Sequence, residues 1–222
     1  MNKFYFYSFY NIKKWINQYQ FYDETKPSVE FVKNGIILPP INPLETEIAV
    51  YEAGGVVRED FSFVENSAYT RGRKEFWENP ITKGYIPKEY KYCDEEVMYA
   101  GAAFEHWGHF LTEITNRLYW FLENREKYPN LKLAFIQYIN PDFDFKNTYK
   151  EFLEMLGITN NDYIFVTKPT KFKMVIVPEY SVMLGNKYKK EFIKIFDEII
   201  KQVKPANCKK NIFIIKQSNF SC

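Results

Sequence analysis

The chain has few of the residues that build disulfide-linked or metal-linked scaffolds. Its 222 residues contain three cysteines, two histidines, nine glycines and 11 prolines. The cysteines lie far apart and form no Cys-x-x-Cys pair, which excludes a disulfide framework or zinc knuckle and fits a reducing, cytoplasmic compartment. Apolar runs are too short to predict a membrane-spanning helix. Low glycine and proline content also excludes a collagen-like or largely disordered protein.

The chain also has almost no excess of charge of one sign. Thirty Lys and Arg residues stand against 28 Asp and Glu, which leaves a formal charge of +2. This balance gives no large positive field, so we expect no nucleic-acid partner. Aromatic residues are abundant, at 19% of the chain. Because they are spread along the sequence, we attribute most of them to compositional bias rather than to stacking platforms for sugars or bases.

The first two segments of the chain differ in pattern. In residues 1–24 apolar side chains recur at helical spacing, which predicts an amphipathic helix docked on the protein. Its rings and lysines are also typical of membrane interfaces, so peripheral contact with the inner face of a membrane is the alternative. Residues 25–93 carry many prolines and glycines and are predicted to be a segment rich in strands and loops that packs on the main domain, with short strands at 47–51, 55–57 and 61–64.

Residues 94–205 alternate between apolar strands and periodic helices. Strands are predicted at 96–100, 131–137, 163–166 and 174–177, and helices at 107–126, 148–156 and 188–203. This order predicts an α/β fold, a Rossmann-like parallel sheet with helices packed on it. In the last segment, 206–222, an apolar strand at 211–215 either completes the sheet or opens a second domain.

Both histidines lie where the first of these strands crosses into a helix. Parallel sheets bind ligands beyond the carboxyl ends of their strands, which makes this crossing informative. At 100° per residue, His109, Glu113 and Asn116 share one strip of the helix, with Arg117 at its border. A carboxylate can orient and polarise an imidazole, as a general base near neutral pH requires. The alternative is a helix cap with a solvent-facing His–Glu pair.

The two histidines do not follow a known metal motif. The zincin motif needs histidines four residues apart with Glu directly after the first, whereas His106 and His109 are three apart and Trp107 follows His106. We therefore predict no metal site. A metal-dependent hydrolase that uses His106, His109 and Glu113 is the alternative from another enzyme class.

Residues 94–120 resemble the signature of glycosyltransferase family 61, in particular its bacterial capsule and surface-polysaccharide branch. Members of that family read acidic-Glu, an apolar strand ending Tyr-x-Gly, then His-Trp-Gly-His-Phe-Leu-x-Glu and Arg-Leu. The matching residues here are Glu95, Tyr99, Gly101, His106, Trp107, Gly108, His109, Phe110, Leu111, Glu113, Arg117 and Leu118. The stretches Asn34-Gly-Ile-Ile-Leu-Pro39 and Gly54-Gly-Val-Val57, with Ser67 beyond, are similar too.

The resemblance implies a GT-B architecture, in which two Rossmann-like domains face each other across a cleft. It implies inverting transfer from a nucleotide sugar without a required metal. His109 would be the base or an acceptor hydrogen-bond partner, Glu113 would orient it, and Arg117 would be a structural or phosphate-facing charge. The residues implied to line the substrate cleft are His106, Trp107, Gly108, Asn116 and Arg117.

The resemblance also implies a role for the end of the chain. Family members continue beyond the strand matched by 211–215 into a second domain that holds the nucleotide, so we expect an N-terminal, acceptor-side fragment that binds no cofactor and is inactive alone. Its expected partners are a glycan acceptor, a nucleotide sugar held by the missing domain, and a second copy that covers exposed apolar surface. The alternative is a non-catalytic module of the same fold that binds a glycan or a partner chain.

Overall fold

A computed structural model of the protein describes residues 21–41, 53–70, 81–103, 107–137, 144–183 and 186–202. The strands are β1 (Phe21–Tyr22), β2 (Val29–Lys33), β3 (Ile36–Ile41), β4 (Ala53–Val57), β5 (Lys91–Ala103), β6 (Lys132–Gln137), β7 (Tyr163–Val166), β8 (Thr170–Pro178), β9 (Val182–Met183) and β10 (Lys187–Tyr188). Two regular helices are α1 (Asn147–Met155) and α2 (Lys190–Gln202). A third helical segment, residues 107–124, is called the site helix below.

The main sheet is mixed, and this confirms the α/β class. Its strand order is β4-β3-β8-β5-β6-β7, and β2 also pairs with β8. The four strands β5 to β8 run parallel, whereas β2, β3 and β4 are antiparallel additions. The strand-rich segment before residue 94 therefore extends the sheet of the following segment. A separate three-stranded sheet has the order β1-β10-β9.

The two faces of the main sheet carry different cores. Alternate strand residues point to opposite faces, so Met98 and Leu133 join one apolar cluster while Val97 and Ala134 join the other. The site helix, α1 and α2 all pack in the first cluster. The second cluster is closed by β3, β4 and the loop residues after β4. A doubly wound Rossmann sheet carries helices on both faces. Here α1, α2 and the site helix share one face, and the loop segment on the other face contains a single 3-10 turn, at Glu65–Ser67.

Most element predictions in residues 94–205 are confirmed. The strand at 163–166 and the helices α1 and α2 lie where the apolar pattern predicts them. Two strands are longer than predicted: β5 and β8 each extend on both sides. Gly101 does not end β5; it has a φ of +104° and marks a bulge in the pairing with β6.

The predicted strand at 61–64 is wrong. Phe61 has a φ of +64°, and the side chain of Asp60 accepts a hydrogen bond from the backbone N–H of Ser62 at 3.0 Å. This side-chain turn competes with strand formation and outweighs the aromatic residues' preference for strands. The stretch pairs with the end of β4 through one isolated antiparallel bridge, between Phe63 and Val57. Its backbone hydrogen bonds run from Arg58 N–H to the Ser62 carbonyl and from Val64 N–H to the Val56 carbonyl, both at 2.9 Å.

Several predictions fall outside the described residues. These are most of the helix at 1–24, the strands at 47–51 and 211–215, the segment 206–222 and His106. At the end of the first of these segments, β1 forms a short strand that pairs with β10. Among the described helices, none is both long and apolar enough to cross a membrane.

Candidate functional site

The site helix begins just beyond the carboxyl end of β5 and is irregular. It starts with a helical turn at Trp107–His109, widens to a π-helix at Phe110–Ile114, tightens to a 3-10 turn at Thr115–Arg117 and ends as an α-helix at Leu118–Asn124. Residues 113–121 are all buried. The apolar residues Phe110, Ile114, Leu118 and Phe121 pack in the first cluster. The polar residues Glu113, Thr115, Asn116 and Arg117 are buried as well.

A histidine and a buried glutamate form the centre of the site. The Glu113 side chain is 5% exposed, and its Oε2 is hydrogen-bonded to Nδ1 of His109, whose side chain is 30% exposed. The donor and acceptor roles depend on the tautomer of the ring. With Glu113 ionised, its carboxylate can only accept hydrogen bonds, so Nδ1 is the donor. The neutral ring then carries its proton on Nδ1, and the Nε2 lone pair lies on the opposite side of the ring. The predicted orienting contact between these two residues is therefore present.

Tyr69 completes this group and was not predicted. Its hydroxyl donates to Oε1 of Glu113 at 2.8 Å, and the tyrosine is only 4% exposed. The two carboxylate oxygens of Glu113 thus have different partners: Oε1 binds the Tyr69 hydroxyl and Oε2 binds the His109 ring. Tyr69 lies 44 positions before Glu113 in a loop-rich segment, so no local spacing in the sequence connects them.

Arg117 lies inside the protein and holds backbone together. Its Nε donates to the carbonyl of Pro178 at 2.9 Å, and Nη2 donates to the carbonyls of Asn66 at 2.5 Å and Ala68 at 3.2 Å. The side chain is fully buried, and among the described residues it makes no ion pair with a carboxylate. Of the two roles left open for Arg117, this geometry is that of a structural charge.

Two tyrosines enclose the Arg117 guanidinium. Its central carbon lies 3.7 Å from the ring centroid of Tyr180 and 5.1 Å from that of Tyr99. Burial raises the pKa of both tyrosines, although the positive charge of Arg117 acts in the opposite direction. Both rings therefore stay neutral near physiological pH and present their faces to the cation.

The other residues expected in the cleft have mixed positions. Trp107 is half-buried and stacks on Phe110 and Tyr149, at centroid distances of 5.3 and 5.2 Å, so its ring belongs to the edge of the core. Gly108 is exposed, and its carbonyl accepts a hydrogen bond from Thr112 at 2.8 Å. Asn116 is 1% exposed, and its buried Oδ1 has no hydrogen-bond partner in the described part of the chain.

No described side chains form a candidate metal site. Within the described ranges, no three His, Cys, Asp or Glu side chains come together as a metal ion would require. The hydrolase alternative also needs His106, which lies outside those ranges.

The chain was compared with protein-family models, curated proteins and solved structures. No match was found in any of the three comparisons.

Proposed function

We propose that this chain is the acceptor-side part of an inverting, nucleotide-sugar-dependent glycosyltransferase that acts in bacterial surface-polysaccharide synthesis. In this proposal His109 is the general base and Glu113 orients it. The parallel core of β5 to β8 corresponds to the N-terminal half of a GT-B enzyme, and the nucleotide sugar is held by a second domain.

The proposal is carried by one observation. A buried carboxylate holds Nδ1 of a partly exposed imidazole at the carboxyl end of a parallel sheet. In this position the carboxylate of Glu113 can balance the positive charge that the ring carries after it has taken a proton from a substrate. The same residues, His109 and Glu113, belong to the motif that resembles family 61.

The proposed reaction is a single displacement. Nε2 of His109 takes the proton of an acceptor hydroxyl while that oxygen attacks the anomeric carbon of the donor sugar. The bond from the anomeric carbon to the diphosphate oxygen breaks, and the bonding electrons leave with the nucleoside diphosphate. Glu113 balances the charge of the imidazolium that forms. A general base in this role typically accelerates a reaction by about 10²–10⁴-fold.

Acceptor binding tests the proposal directly on this protein. The chain has two histidines, so NMR signals of their rings are simple to follow, and His106→Gln assigns them. We expect an oligosaccharide of a bacterial surface polysaccharide to bind and to shift the His109 signals. If no member of a broad panel binds, or if binding leaves His109 unchanged, the proposal is refuted.

Transfer assays separate the catalytic proposal from the non-catalytic alternative. The protein with its bound acceptor is incubated with a panel of nucleotide sugars and with a donor-binding domain supplied in trans. The nucleoside diphosphate that is released is then measured. We expect transfer that falls by about 100-fold or more in His109→Gln, while acceptor binding is kept. Acceptor binding without transfer, equal in both proteins, would instead establish a glycan-binding module.

A further inference from the structure

Backbone hydrogen bonds hold the segment around Tyr69 on both sides. Its backbone N–H and carbonyl exchange hydrogen bonds with Ile81, at 2.8 and 2.9 Å. The carbonyls of Asn66 and Ala68, just before it, accept from Arg117. Backbone contacts on both sides therefore fix the direction in which the tyrosine ring enters the protein.

Ser67 anchors the same segment to the sheet. Its hydroxyl accepts from the N–H of Val56 at 2.9 Å and donates to the carbonyl of Val64 at 2.7 Å, and the residue is fully buried. Gly55 has a φ of +78°, and a Cβ there would lie 2.8 Å from the Ser67 hydroxyl. The close approach of β4 to this segment therefore requires glycine. The position of Tyr69 is thus set by the sheet itself.

We propose that Tyr69 is a positioning residue of the His109–Glu113 site. Its hydroxyl holds Oε1 of Glu113, which leaves Oε2 to accept from Nδ1 of His109. This keeps the neutral imidazole in the tautomer with its proton on Nδ1, so that Nε2 is the basic nitrogen. The inference rests on the proposed role of His109, but the tautomer of the ring can be measured without any substrate.

The tautomer of His109 is measured by long-range proton–nitrogen correlation of the ring in nitrogen-15-labelled protein, at a pH where the ring is neutral. We expect the proton on Nδ1 in the wild-type protein. Tyr69→Phe removes one oxygen and keeps the buried ring, and it should move His109 toward a mixture of the two tautomers. Glu113→Gln, which replaces one acceptor oxygen by a donor group, should shift the ring in the same direction.

Tyr119→Phe is the matched control. Tyr119 is also 4% exposed, and its hydroxyl donates to the backbone carbonyl of Glu179 at 3.2 Å, away from Glu113. This variant should leave the His109 signals unchanged. Circular dichroism and the thermal midpoint confirm that each variant is folded. A wild-type ring protonated on Nε2, or a folded Tyr69→Phe with an unchanged tautomer, would overturn the inference.

Kinetics then separate positioning from a purely structural role. With an active donor and acceptor pair, Tyr69→Phe should lower kcat by roughly tenfold with little change in the acceptor KM, the size expected for loss of an orienting hydrogen bond. Unchanged kcat would refute the positioning role even if His109 proves catalytic. Absence of transfer in every protein would refute the proposed function and leave the tautomer result as it stands.

Discussion

Replacing Arg117 with methionine should be among the most destabilising single changes in the protein. Methionine fills much of the same volume but donates no hydrogen bond, so the carbonyls of Pro178, Asn66 and Ala68 lose their donor. A hydrogen bond to a charged group contributes about 1.5–3 kcal/mol. Because Nη2 is shared between two carbonyls, we take about 1.5 kcal/mol for each bond. The expected loss is about 4–5 kcal/mol of the free energy of unfolding, before the contacts with the tyrosine rings are counted.

The measurement is urea unfolding followed by tryptophan fluorescence. Arg125→Met is the matched control, because Arg125 is exposed and donates a single hydrogen bond to the Leu156 carbonyl at 2.8 Å. It should cost about 0.5–1 kcal/mol. Domains of this kind have about 5–15 kcal/mol in total, so Arg117→Met should remain folded in buffer but unfold at a much lower urea concentration. A difference between the two variants below about 1 kcal/mol would refute the structural role of Arg117.

Two further predictions concern backbone strain and acid stability. Gly101→Ala and Gly157→Ala both place a Cβ at positive φ, within 2.9 Å of a nitrogen of Arg117 and of Arg125 respectively. Arg117 is buried and fixed by its hydrogen bonds, whereas the exposed Arg125 can move. Chemical unfolding should therefore show a larger loss of unfolding free energy for Gly101→Ala, and equal losses would contradict this prediction. Hydrogen bonds from Thr25, and then the contact with Lys187, lower the pKa of Asp23 well below its ordinary value of 3.8. The stability that Asp23 contributes is therefore present above about pH 4 and lost as pH falls below that value, so the difference in thermal midpoint between wild type and Asp23→Asn should shrink between about pH 5 and pH 3. A constant difference would exclude this linkage.

The periodic part of the chain could be interpreted from its sequence because its signals are local. The apolar run at 163–166 is a strand as predicted. Helix α1 ends at Met155, and Gly157, two residues beyond, has the positive φ that suits a helix terminus. The irregular segment before residue 94 was less predictable. There the turn at Asp60 and Phe61 replaced a predicted strand, because a side-chain hydrogen bond outweighed a weak preference.

The candidate site could be predicted only in part. The spacing of four between His109 and Glu113 is enough to place them in contact on a helical segment. The assumption of a uniform 100° per residue, however, does not include the π-helical and 3-10 turns that follow His109. Asn116 and Arg117 are buried, and Arg117 contacts segments far away in the chain, at Asn66, Ala68 and Pro178. Helical periodicity does not encode those contacts.

The sequence by itself determined the α/β class, most elements after residue 94 and the pairing of His109 with Glu113. Each of these depends on residues close together in the chain, where spacing translates directly into geometry. Only the tertiary structure decided that the early segment joins the main sheet, that Arg117 binds backbone carbonyls, and that Tyr69 reaches Glu113. Those contacts join residues tens of positions apart, and only packing of the whole sheet brings them together.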